Sequence, residues 1–407
     1  GHLLELAVVP PEVEIEAAGS VIAAQDWTPL FAAAGLDLST FTPVAPRWLP
    51  PFAFDQRASW SGPAPEQRDT PLRVEAAAYH GRPVWFGVFG PWSRPARQVA
   101  SAVTAGGRAA NIVEATICLL LLAGCAVLAR RNLRLGRGDR QGAWRLTMYF
   151  FAVGLLGWAF GGTHVSTLHE LYLFCSAAGG SLFVSALIGA AYLGLEPIVR
   201  RRWPHVIIGW SRVLSGSIFN ALVGRDLLIG VAAGLLIETS QHIVFLLYHP
   251  SRAWNGGLYL RFPLMALTSL RGALAVLSVE QFFAIGISLA ICLIYVACYV
   301  VMRRHWLAGG VIVVIVGVLN LLNGDPPLGV VWVALYMTAL VVLLIRFGLL
   351  AVIAAWYTGS LLADSPITTD FTQWYAGTGL IAVVAILALA VWAFRTSLGG
   401  QPVFKDT

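Results

Sequence analysis

The sequence is short of charge. Only 12% of its 407 residues are Asp, Glu, Lys or Arg, about half of the ~25% that soluble domains carry. It also lacks the sequence signatures of most chemistries. There is no Walker A motif, no GxGxxG, no GxSxG and no HExxH, and neither an HRD-type catalytic loop nor a DFG triplet. By itself the chain therefore has no constellation that could bind ATP and transfer a phosphoryl group. The five cysteines, Cys118, Cys125, Cys175, Cys292 and Cys298, all fall in apolar runs, with no CxxC pair. That excludes a disulfide framework and reads as small buried apolar side chains. An initiating Met and a signal-peptide pattern are also missing. Residues 1–9 (GHLLELAVV) already read as a strand, so the polypeptide is expected to extend further upstream.

What is present is apolar. Hydrophobic residues make up 57% of the chain, and the mean hydropathy is +0.73. The net charge is +6, carried by arginines at the ends of apolar runs. That placement fits topology determinants and lipid headgroup contacts, with no nucleic-acid partner.

Residues 1–105 differ in character and read as a small extracytoplasmic α+β module. Strands are expected over 3–9 and 13–17. A short helix over 27–35 would follow Asp26 as its N-cap, and a Pro-rich loop covers 43–51. The runs 72–79 (LRVEAAAY) and 83–89 (PVWFGVF), separated by His80-Gly81-Arg82, read as a hairpin. Trp27, Trp48, Trp60, Trp85 and Trp92 could line a ligand pocket, but core packing is the simpler role.

Residues 106–407 read as a polytopic α-helical membrane bundle. A bilayer core takes about 20 apolar residues per helix. Candidate spans are 109–129, 146–164, 169–197, 226–247, 278–302, 306–323, 328–345, 347–362 and 376–394, about eight or nine in all. Only Arg346 and Gly348 punctuate the seventh and eighth, leaving a tight hairpin or one long helix open. Residues 262–277 read as lying in the membrane interface, and 207–223 as an amphipathic surface helix or a plain connector.

Arginine asymmetry sets the orientation. The links after the first, third and fifth spans are basic: 130–145 (RRNLRLGRGDRQGAWR), then Arg200, Arg201, Arg202 and Arg212, then Arg303 and Arg304. The intervening links are poor in Arg. Basic links stay in the cytoplasm, so the N-terminal module is expected outside an inner membrane and the C-terminus inside. Arg130, Arg131, Arg134 and Arg200–Arg202 would sit at phosphate level, with Trp203 in the interface.

Ionisable residues inside spans are candidates for function. Glu238 and His242 lie one helical turn apart, Glu280 opens the fifth span, and His164, His169 and Glu170 bracket an outer link. Together they could form an outer-face cluster that binds a metal or carries protons, or simply satisfied pairs between neighbouring helices.

Several segments carry a resemblance: 26–37 (DWTPLFAAAGLD), 73–92 (RVEAAAYHGRPVWFGVFGPW), 128–140 (LARRNLRLGRGDR), 195–204 (LEPIVRRRWP), 223–226 (VGRD) and 394–404 (FRTSLGGQPVF). They resemble the C-terminal membrane region of bacterial, eukaryotic-like Ser/Thr protein kinases, over nearly the whole chain. The resemblance implies a sensor and anchor region, with the kinase domain and its ATP upstream in cis. Residues 1–105 would meet an envelope ligand, and two copies could pair. No catalytic residue carries over. Transporter or channel activity, and a membrane enzyme using the outer His/Glu cluster, are the rival expectations.

Overall fold

The computed structural model describes residues 2–10, 25–65, 70–91, 93, 105–248 and 269–401. The expected strand over 13–17, Trp92 and residues 262–268 lie outside them. The chain divides into two compact units, Gly1–Ala102 and Val103–Thr407.

The first unit is an antiparallel sheet with one short helix. Its strands are β1 (Glu5–Ala7), β2 (Thr42–Pro43), β3 (Gln56–Pro63), β4 (Pro71–Tyr79) and β5 (Arg82–Phe89), in the order β1-β5-β4-β3-β2. The β4–β5 hairpin turns on His80 and Gly81, whose φ values are 49° and 72°. Two left-handed residues in a row suit the twist of the flanking strands. Helix α1 (Thr28–Ala33) begins where Asp26 Oδ1 accepts the Thr28 N–H at 2.9 Å, and the chain leaves it through Gly35 at φ 69°. Period-2 alternation along β4 buries Val74 and Ala76 on one face. There Phe31 of α1 meets Trp60 edge-on at 5.1 Å and Phe86 at 5.8 Å. On the other face Trp48 stacks on Phe89 at 4.2 Å. Beside them the buried Glu75 carboxylate accepts the Arg47 and Trp48 N–H groups at 2.7 and 3.0 Å and pairs with Arg73 at 2.7 Å. Trp27, Trp48, Trp60 and Trp85 are thus packing residues.

The second unit is all helical among its described residues: α2 (Ala105–Arg134), α3 (Arg140–Gly161), α4 (His169–Arg202), α5 (Pro204–Leu214), α6 (Ala221–Tyr248), α7 (Leu270–Met302), α8 (His305–Asn323), α9 (Pro327–Phe347), α10 (Leu349–Ala363) and α11 (Ala376–Ser397). Seven of them, α2, α3, α4, α7, α8, α9 and α11, are long and apolar enough to cross a membrane. α6 has 28 residues, about 42 Å at 1.5 Å per residue. Large apolar side chains such as Leu119, Phe183, Leu236, Val301 and Leu335 point outward. An outward apolar surface is what lipid contact requires. Cys118 and Cys175 lie on that surface, not in the core expected for them.

α7 starts at Leu270, so residues 270–277 continue the fifth span as one 33-residue helix. Arg271, Gly272 and Ser278 dilute the apolar run there and hide its helical continuity.

The seventh and eighth candidate spans are two helices. Gly348 breaks them at φ 94°, and a Cβ there would sit 2.6 Å from the Val206 carbonyl oxygen. α9 and α10 then run antiparallel, with Tyr336 and Trp356 in ring contact at 5.7 Å. α10 has only 15 residues, about 22 Å, yet 11 of them are buried. It is the core of the bundle, and α6 is its main partner. A Cβ on Gly230 or Gly234 of α6 would lie 2.4 Å from the Ala351 or Ala355 carbonyl oxygen. This is the close backbone approach that a Gly-x-x-x-Gly spacing permits.

Candidate functional site

The expected outer-face residues fall into two groups. The first is a clasp in the α3–α4 link. His164 Nδ1 bonds the Glu170 carboxylate, and its Nε2 lies 3.0 Å from the Ala159 carbonyl oxygen. Glu170 also accepts the Val165 N–H at 2.9 Å. The Glu170 hydrogen bond holds the His164 pKa above the ordinary imidazole value, helped by the Ala159 carbonyl. Arg271 of α7 donates to the Ala159 and Gly162 carbonyls at 2.8 and 2.6 Å, closing the end of α3. His169 stacks on Tyr172, with ring centroids 5.5 Å apart.

The second group lines a cavity of about 430 Å³ among α6, α7, α8, α9 and α10. Glu238 and Glu280, both buried, line it together with Asp364 from the end of α10. Gln241 and Asn320 add amides, and Trp332, Tyr336 and Trp356 supply ring faces. No Lys or Arg stands among the described residues of its wall. His242 Nδ1 lies 3.4 Å from Glu238 Oε1, on the exposed side of α6. Carboxylates beside aromatic faces favour a cation or a proton. Glu238 and Glu280 stand out in the sequence, whereas Asp364, Asn320 and the ring wall do not. The four-residue spacing of Trp332 and Tyr336 on α9 was the available signal.

His164, His169, Glu238 and His242 are not gathered into one site. Among the described residues, no group of three or more His, Cys, Asp or Glu side chains could hold a metal ion.

The basic segments converge at the opposite end of the bundle. Glu196 of α4 pairs with Arg200 at 2.6 Å and accepts the Asp139 N–H at 3.3 Å. Asp139 caps α3 through the Gly142 N–H at 2.8 Å. Asn132 donates to the Leu193 carbonyl at 2.8 Å, tying α2 to α4. Arg145 donates to the Leu214 carbonyl at 2.7 Å. Arg225 pairs with the buried Asp226 at 2.8 Å, and a Cβ on Gly209 of α5 would lie 2.5 Å from Asp226 Oδ2. α5 thus seats Val206, Ile207 and Trp210 against the bundle.

Arg130, Arg131, Arg134, Arg201 and Arg202 are exposed, while Arg200 is held by Glu196. Trp203, expected in the lipid interface, is buried edge-on against Tyr299 at 4.2 Å, near Tyr295 and His305. The sharp turn from α4 into α5 swings it inward.

Comparison with protein-family models, with curated proteins and with solved structures finds no match for this chain.

Proposed function

We propose that this chain is the sensor and anchor region of a transmembrane signalling protein of the bacterial Ser/Thr kinase type. One observation carries the reading. Two segments that resemble those kinases, 128–140 and 195–204, are far apart in sequence but meet where Glu196, paired with Arg200, accepts the Asp139 N–H at one end of the bundle. Shared segments that build one surface fit a platform for a common partner, here a kinase domain in cis. The positive-inside rule puts that arginine-rich end in the cytoplasm. With α6 and α10 counted, nine spans then leave the N-terminal module outside and the C-terminus inside. The module, and the acidic cavity at the outer end, are the surfaces on which a signal would act. The relay between the ends would run along α6 and α10, which are packed at glycine distance.

The test is to read the coding sequence upstream of Gly1 in frame. A kinase catalytic domain there supports the reading, and an in-frame stop codon would overturn it.

The cavity favours a second reading, a transporter or channel-like protein. Buried carboxylates facing a cavity among spans mark substrate and ion paths. Uptake of a cation by vesicles holding the chain, abolished by Glu238→Gln, would support transport over sensing.

A further inference from the structure

The arginine-rich end also carries an open pocket of about 720 Å³, walled by the α2–α3 link, the end of α4 and one side of α5. Four arginines, Arg137, Arg200, Arg201 and Arg212, line it against two carboxylates, Asp139 and Glu196, a surplus of two positive charges. Both carboxylates are already engaged, Glu196 by Arg200 and Asp139 by the start of α3. Arg212 is fixed in the wall by Asn220. Arg137 and Arg201 have no ion-pair partner among the described residues and are free to turn their planar forks on an anion. The Ser211 and Ser215 hydroxyls share the wall with an apolar strip of Ile207 and Ile208. A wall that is cationic on one side and apolar on the other suits an amphiphile whose head is a phosphate.

We propose that this pocket binds a phosphate group, with Arg137 and Arg201 as its two mobile clamps and Arg212 as the fixed one. The shared chemistry is a phosphate ester, and the source is either an anionic phospholipid headgroup or a soluble phosphate. The proposal holds whether or not a kinase domain precedes the chain.

The full chain in neutral detergent would be titrated with fluorescent short-chain phosphatidylglycerol, with phosphatidylcholine as the reference lipid and inorganic pyrophosphate as competitor. Saturable binding of the anionic lipid should weaken about tenfold in the Arg137→Gln/Arg201→Gln double variant. Arg201→Lys should fall in between, since it keeps the charge and loses the fork. Arg304→Gln, at the same end but outside the pocket, should bind as the parent does. Binding that pyrophosphate cannot displace assigns the pocket to lipid, and displacement at low concentration assigns it to a soluble phosphate. Neither the Arg137 nor the Arg201 side chain makes a hydrogen bond among the described residues, so both variants should elute and melt as the parent does. Equal binding by parent and double variant, or equal loss in Arg304→Gln, would overturn the proposal.

Discussion

The two ends of the bundle use carboxylates in opposite ways. At the arginine-rich end, Glu196 and Asp226 each lie within 2.8 Å of a guanidinium, and Glu196 ties α4 to the α2–α3 link through the Asp139 N–H. At the other end, Glu238, Glu280 and Asp364 face a cavity with no Lys or Arg among its described lining residues. The first arrangement is an arginine fastening, and the second sets acids among amides and aromatic rings. Between them the helices meet at small residues, so the two ends share a rigid axis of α6 and α10.

That axis is the largest target. Gly230→Leu or Gly234→Leu should destabilise the bundle by about 3 kcal/mol or more, because the new side chain meets backbone that cannot yield. Gly310→Leu, where a Cβ would meet nothing within 4 Å, should leave the melting temperature in detergent unchanged. Equal effects at both positions would remove the axis from the account.

Substitution of the carboxylates comes next. Glu196→Ala strands the Asp139 N–H and leaves Arg200 unpaired, and should cost about 1–3 kcal/mol. The Glu238→Gln/Glu280→Gln pair should lower cation retention in the cavity if the chain carries cations. If the cavity pair proved the more destabilising, its acids too would be fastenings.

The smallest effect belongs to the His164–Glu170 clasp. The His164 pKa is raised in the folded chain, so its contribution is full below the unfolded value, about 6.5, and fades as pH rises through the folded value. A melting profile across that range should lose this slope in His164→Gln. An unchanged slope would mean that another group titrates.

Much of the bundle was legible because bilayer thickness forces long apolar runs, and each expected span matches a helix to within about five residues except at the starts of α3 and α7. The hairpin at His80-Gly81 was legible because its turn chemistry is local. β3 was not expected: QRASWSGP holds one large apolar residue, Trp60, and its strand character comes from pairing with β4. Gly348 left two alternatives open, because a left-handed glycine turn becomes distinctive only once α5 packs against it. The cavity was half visible. Glu238 and Glu280 stood out as acids in apolar runs, whereas Asp364 sits at a helix end and joins them only through the α9–α10 turn.

The opposition of the two ends is tested most directly by their sidedness. On a background with the native cysteines replaced, Arg304→Cys and Asp325→Cys would be labelled with a membrane-impermeant maleimide, in intact cells and in inside-out vesicles. The account predicts labelling of position 325 only in cells and of position 304 only in vesicles. Labelling of both positions from the same side would contradict it.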